Sequence, residues 1–175
     1  MKTLVIHPDD RSTDFLKPIY AGIECTVITS KPKDSELRNL IRTHDRVMMM
    51  GHGDNNGLWN VVDGMMCDYF IDKTHAPLLK QKKENFYIWC FANMFVERYK
   101  LPGFYTGMFI SEVSEAKMLG IKVTQEEVDY SNNLFAENLG RIVNNGPSLL
   151  NEIKSVYSHE NCPVISYNNF RLKYA

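Results

Sequence analysis

The sequence has no long apolar run, no excess of one charge and no paired cysteines. Its apolar runs, such as Val47 to Gly51, fall far short of the roughly 20 residues that a membrane-spanning helix needs. No membrane partner is therefore expected. Lys and Arg together number 20 and Asp and Glu 21, a net charge of -1, so no nucleic-acid partner is expected from overall charge. Cys25, Cys67, Cys90 and Cys162 form no C-x-x-C pair, which argues against a zinc knuckle or a dense disulfide scaffold and for free thiols. Met1 and Lys2 lead into the short run Leu4 to Ile6, without the length or small-residue cleavage site of a secretory signal. The expected location is cytoplasmic. Gly51-x-Gly53-x-x-x-Gly57 fails as a phosphate loop, because Asn56 takes the third glycine position and a hairpin follows. Neither a metal site nor a cofactor is expected.

With 44% hydrophobic and 23% charged residues, the chain reads as one globular domain over residues 1–175. Short apolar runs alternate with helix-period segments, the pattern of a parallel sheet covered on both faces. Strands are expected at Thr3 to Ile6, Cys25 to Thr29, Val47 to Met50, Phe86 to Cys90, Phe104 to Ile110 and Val164 to Tyr167. A broken helical stretch is expected around Phe15 to Tyr20. Leu37, Leu40, Ile41 and His44 at helical spacing predict an amphipathic helix behind an Asp34/Ser35 cap. Leu58 to Met66 alternates and turns at Asp63-Gly64, a hairpin signal, and Tyr69 to Lys83 reads as helix interrupted near Pro77. Thr124 with Glu127 forms a capping box ahead of a long helix carrying Val128, Phe135, Leu139, Ile142 and Val143. Pro147 opens a further helix carrying Leu149, Leu150, Ile153 and Tyr157. The fold class is an α/β, three-layer α/β/α sandwich with a mainly parallel six-stranded sheet.

Such sheets carry their functional loops at the carboxyl ends of the strands. The first strand runs into His7-Pro8-Asp9-Asp10, the third into Gly51-His52-Gly53, the fourth into Trp89-Cys90, and the fifth into Ser111-Glu112. If the third and fourth strands are neighbours, about 4.8 Å apart, His52 and Cys90 can meet a shared carbonyl. An imidazole raises the thiolate fraction of a cysteine, whose thiol ordinarily titrates near pH ~8.5, or protonates a leaving amine. Gly53, lacking a side chain, lets a backbone approach and offers its amide to an oxyanion. The plainer reading makes Cys90 a small core residue, His52 a turn cap, and Asp9, Asp10 and Ser12 helix caps. It also places Cys25, Cys67 and Cys162 in structural or exposed roles and leaves His44, His75 and His159 without a diagnostic partner.

The order Val47-Met-Met-Met-Gly-His52-Gly53, the Leu58 to Met66 hairpin, a crossover helix and Phe86-Tyr-Ile-Trp-Cys90 resembles the caspase-like cysteine peptidases, the group of caspases, metacaspases, gingipains and clostripain. In that family a buried strand ends in His-Gly, a hairpin and a crossover follow, and the next strand ends in the nucleophile. Here 38 residues separate the pair, against roughly 50 in caspases. The resemblance runs from Met1 to about Glu115. It implies His52 as catalytic imidazole, Cys90 as nucleophile, and the amides of Gly53 and Cys90 as oxyanion donors. The implied substrate is a peptide or protein. Asp9 and Asp10 lie in the loop that shapes the family's specificity pocket, and one of them, with Glu112, is expected to favour an Arg or Lys side chain. Trp89 and Phe91 flank the cysteine where the family has small residues, and Gln-Ala-Cys-Arg-Gly is absent. The stretch from Cys90 to Phe104 is too short for a cleavable activation linker. The alternatives are a catalytically inactive caspase-like module that binds a protein, and a flavodoxin-like ligand or signalling domain.

Overall fold

Strands buried on both faces need apolar side chains at every position, and the shortest runs supply them. The computed structural model describes residues 1–159 and 161–175. Its central sheet contains β1 (Thr3–Ile6), β2 (Cys25–Ile28), β3 (Arg46–Met50), β7 (Phe86–Ile88), β8 (Phe104–Thr106) and β9 (Leu172–Tyr174), in the order β2-β1-β3-β7-β8-β9. All neighbours are parallel except β8 and β9. The expected six-stranded, mainly parallel sheet is therefore present.

Alternation along these strands divides the interior into two cores. Val5, Met48, Met50, Phe86, Ile88 and Phe104 face one, packed against Ile19 of α1 (Pro18–Ala21), Phe135 and Leu139 of α6 (Gln125–Ile142), Ile153 of α7 (Leu149–Val156) and Val164 of α8 (Pro163–Phe170). Leu4, Ile6, Val47, Met49, Tyr87 and Trp89 face the other. There they meet Leu37 and Ile41 of α2 (Asp34–Thr43), Leu79 of α3 (Ala76–Leu79) and Phe95 and Val96 of α4 (Ala92–Tyr99). Helical layers on both sides of the sheet make the sandwich. The Met48 to Met50 run is fully buried strand core.

A second sheet of three strands stands beside the first: β4 (Gly53–Asp54), β5 (Gly57–Val62) and β6 (Met65–Ile71). Its hairpin turns at Asp63 and Gly64, both at positive φ (50° and 75°), the conformation a two-residue primed turn demands. β4 is an addition to the two-stranded flap the sequence predicts.

Several expectations are corrected. The helix predicted over Tyr69 to Lys83 shrinks to α3, because Tyr69 to Ile71 stay paired in β6 and Asp72 folds back on the Thr74 amide and hydroxyl. Pro77 stands in the first turn of α3 rather than interrupting a longer helix. The strand predicted over Phe104 to Ile110 ends at Thr106. Beyond it, the Asn168 side chain takes the place of a strand partner, accepting from the Ile110 amide at 2.7 Å and donating to its carbonyl at 2.9 Å. Val164 to Tyr167 is helix, with Pro163 in its first turn, and burial at 164, 165 and 168 follows helical spacing. The last strand is β9. Asp34 does not cap α2: it lies in the first turn, where it favours the dipole and pairs with Arg38 at 2.6 Å. His44 ends that helix in extended conformation. The capping box of Thr124 and Glu127 forms as expected.

Candidate active site

β3 and β7 are neighbours, with Met50 opposite Ile88. The Gly51 amide still bonds the Ile88 carbonyl at 3.1 Å, after which both chains leave the sheet at the same end. Gly51 takes φ 141°, which sets the direction of this exit. His52 and Cys90 then line the same slot of about 20 Å³, room for a water molecule, together with Thr13, Leu16, Trp89 and Phe109. Both side chains are partly exposed.

The imidazole is held from the loop after β1. Asp10 caps the 3-10 turn Arg11–Leu16, accepting from the Ser12 amide at 2.9 Å and the Ser12 hydroxyl at 2.8 Å. The Ser12 oxygen in turn meets His52 Nε2 at 2.7 Å, and an Asp10 oxygen lies 3.7 Å from the same nitrogen. Partial burial works to raise the Asp10 carboxyl, but the Ser12 amide and hydroxyl, with His52 beyond them, outweigh it and hold the group below its usual range. Asp10 is thus an ionised acceptor. Because Ser12 gives its one proton to Asp10, its oxygen accepts from His52, which places the imidazole proton on Nε2 and leaves Nδ1 with the free lone pair.

The thiol is held separately. Cys90 Sγ has the Phe109 carbonyl at 3.6 Å and Glu115 Oε1 at 3.7 Å as acceptors. The other Glu115 oxygen receives the Ser111 amide (2.8 Å), the Ser111 hydroxyl (3.1 Å) and the Glu112 amide (3.1 Å). Glu112 and Glu115 form the capping box of α5 (Val113–Met118). Burial first, and the Glu115 carboxylate second, push the Cys90 thiol up to about 12. In this state the sulfur is a thiol. Between Cys90 and α4, Phe91 adopts a left-handed conformation at φ 64°.

Gly53 lies in β4 opposite Leu58. The bond from the Trp59 amide to the His52 carbonyl at 2.9 Å makes that pair a non-hydrogen-bonded one, so the Gly53 amide is directed away from β5. Its missing side chain has a second reason: a Cβ there would lie 2.4 Å from Trp89 Cδ1.

The first-loop carboxylates and Glu112, predicted to meet one basic side chain, are divided. Asp9 and Asp10 border a cavity of about 650 Å³ between the first two strand-end loops and the β5–β6 hairpin, with Lys31, Asn60 and Val61. Glu112 borders another of about 470 Å³, with Arg11, Ser12, Ser111, Asp129 and Asn132. A single cationic side chain therefore meets one set or the other. Glu112 is exposed and already bonded within the α5 cap and to Ser114, and Asp10 serves as a cap, as the plainer reading has it.

All four cysteines are free, Cys162 buried and Cys67 exposed. His75, read as unpartnered, stands 3.1 Å from Asp72 and 3.4 Å from Asp34. Sequence reasoning missed Glu115, and it named Ser12 only as a helix cap and not as the partner of His52. Asp10-Arg-Ser12 is a recognisable side-chain turn, and a Glu three residues beyond a helix start is a cap signal, but neither pattern reveals what it holds. Among the described residues, no helix is long and apolar enough to cross a membrane, and no group of three or more His, Cys, Asp or Glu is placed to hold a metal ion. Compared with known proteins, the chain matches no family model and no curated sequence.

Proposed function

We propose that the protein is a cysteine-dependent endopeptidase of the caspase-like kind, using His52 and Cys90. The observation that carries this reading is the opening of an imidazole and a thiol into one slot from adjacent parallel strands, with the imidazole already oriented by Ser12 and Asp10. In the reaction, His52 Nδ1 takes the Cys90 proton and the sulfur adds to the scissile carbonyl, with the Gly53 and Cys90 amides as donors to the oxyanion. The C–N bond then breaks as His52 returns the proton to the departing amine, leaving a thioester. Water, deprotonated by the same nitrogen, adds to the thioester and expels the sulfur, which regains a proton. For specificity we infer an Arg or Lys preference, supported by Asp9, which borders the larger cavity alongside Arg11 and Lys31.

The test is hydrolysis of matched peptides carrying Arg or Asp before the scissile bond, with Cys90→Ala and His52→Ala as controls. Cleavage of the Arg peptide, reduced by about 10³-fold or more in Cys90→Ala, is the expected result. Undiminished cleavage in that variant removes Cys90 from the mechanism, and preference for Asp removes the basic specificity. One observation favours the second reading, a catalytically inactive caspase-like module that binds a protein: the thiol bonds to Phe109 and Glu115 and is pushed up to about 12. On that reading Cys90→Ala retains every partner, and no peptide is cut.

A further inference from the structure

The two halves of the pair have separate holders, and the holder of the sulfur is the unusual one. A carboxylate beside a thiol opposes its ionisation, the reverse of what a nucleophile needs. We propose that Glu115 is a latch on Cys90: its carboxylate, 3.7 Å from the sulfur, keeps the thiol turned away from His52, and catalysis requires Glu115 to withdraw. The proposal rests on the peptidase reading and specifies how that site is restrained.

Three features support a latch over a surface carboxylate that happens to be near. Glu115 is partly buried, and its second oxygen collects three donors from Ser111 and Glu112, so its position is fixed independently of the cysteine. The sulfur's other acceptor is the Phe109 carbonyl, in the segment between β8 and α5 that runs directly into the helix carrying Glu115, so one continuous stretch of chain supplies both restraints. Beyond Gly107, whose amide bonds the Arg171 carbonyl at 3.0 Å, that segment is held to the rest of the protein by side chains: Asn168 on both sides of Ile110, and the Asn132 amide donating to the Ser111 carbonyl at 2.9 Å. From Met108 to Glu112 it lies outside both sheets, so this part can shift without unpairing a strand. Ser111 and Glu112 also border the 470 Å³ cavity, so a ligand entering there acts directly on the groups that position Glu115.

Glu115→Gln separates charge from structure. Glutamine still caps α5, but it presents an amide to the sulfur in place of a carboxylate. The charged and titratable groups around the sulfur are Glu115, Glu112 and His52. The measurement is the rate of iodoacetamide labelling of Cys90 against pH, mapped by mass spectrometry, with exposed Cys67 as the internal standard. Glu115→Gln is expected to raise the Cys90 rate at pH 8 by about tenfold or more, one pH unit in its profile, with the Cys67 rate and the melting temperature unchanged. Glu115→Asp, which keeps the charge and shortens the reach, gives a smaller rise and serves if the first variant folds poorly. A change below threefold in both variants overturns the latch, as does an equal rise in Glu112→Gln, which would assign the effect to general charge and not to contact. Faster labelling without peptide cleavage leaves the latch standing and the peptidase reading failed. Cleavage by the wild type with unchanged labelling in the variants has the opposite meaning.

Discussion

Gly53→Ala tests whether the glycine beside the imidazole is there for packing as well as for an amide. An ideal Cβ at this position lies 2.4 Å from Trp89 Cδ1, 2.7 Å from Trp89 Cγ and 2.5 Å from the Gly57 carbonyl oxygen, about 1 Å inside ordinary contact in each case. None of these atoms yields easily. The indole is 2% exposed, donates to the Asp54 carbonyl at 3.0 Å, and is flanked edge-on by Tyr87 and Phe95 at 5.8 and 5.7 Å. The Gly57 oxygen is backbone, and Gly57 itself is wedged at φ 155° against the Ile71 carbonyl. Overpacking a filled core costs about 1 to 3 kcal/mol, and pushing the indole off Asp54 adds about 1 kcal/mol. The expected loss is about 3 kcal/mol, read by urea denaturation, with the melting temperature lower by about 6 to 12 °C for a chain of this size. A loss below about 1 kcal/mol would refute the packing argument and leave the amide as the reason for glycine.

Two further predictions concern the loop after β1. His7 is buried, bonded to Tyr20 at 3.0 Å and Thr13 at 3.1 Å, and burial first, with Lys17 second, pulls it down to about 4. Its folded value lies below its unfolded one, so between about pH 6.5 and pH 4 the unfolded chain takes up a proton that the folded chain refuses. Stability therefore falls as pH drops through that window, by about 3 kcal/mol at most from this residue. Urea midpoints at pH 7 and pH 4.5 should diverge less in His7→Gln than in the wild type, and an unchanged divergence refutes the assignment; His75, also lowered by burial, keeps part of the slope. The Ser12 bridge places the His52 proton on Nε2, so two-bond ¹H–¹⁵N spectra should show that tautomer in the wild type and a mixture in Ser12→Ala. A wild-type proton on Nδ1 refutes the bridge.

The fold was legible where one local pattern had no rival. Continuous apolar runs at Thr3 to Ile6 and Val47 to Met50 allow little but buried strand, and Asp63-Gly64 supplies the two positive-φ residues a tight hairpin needs. The misread segments are those in which a distant partner decides. Val164-Ile165 has strand propensity, yet Pro163 starts a helix and Asn168, one turn on, must reach Ile110. Phe109 and Ile110 are as apolar as any strand residue, but their backbone is satisfied by a side chain from 58 residues away. Propensity windows do not see that bond.

The same division applies to the candidate site. His52 and Cys90 could be singled out because each closes a recognisable strand, and parallel order brings neighbouring strand ends to one rim. What restrains each of them could not, since both restraints arrive from elements whose position only the whole fold decides: Ser12 from the first loop, Glu115 from a short helix after the fifth strand of the sheet in sequence. The two restraints also work in opposite senses. Asp10 and Ser12 leave Nδ1 with a free lone pair, whereas Phe109 and Glu115 are the acceptors of the thiol proton. On the peptidase proposal, readiness of the site depends on one movement, and the segment between β8 and α5 is the part of the slot wall that, beyond the Gly107 amide's bond to the Arg171 carbonyl, is tied by the side chains of Asn168 and Asn132.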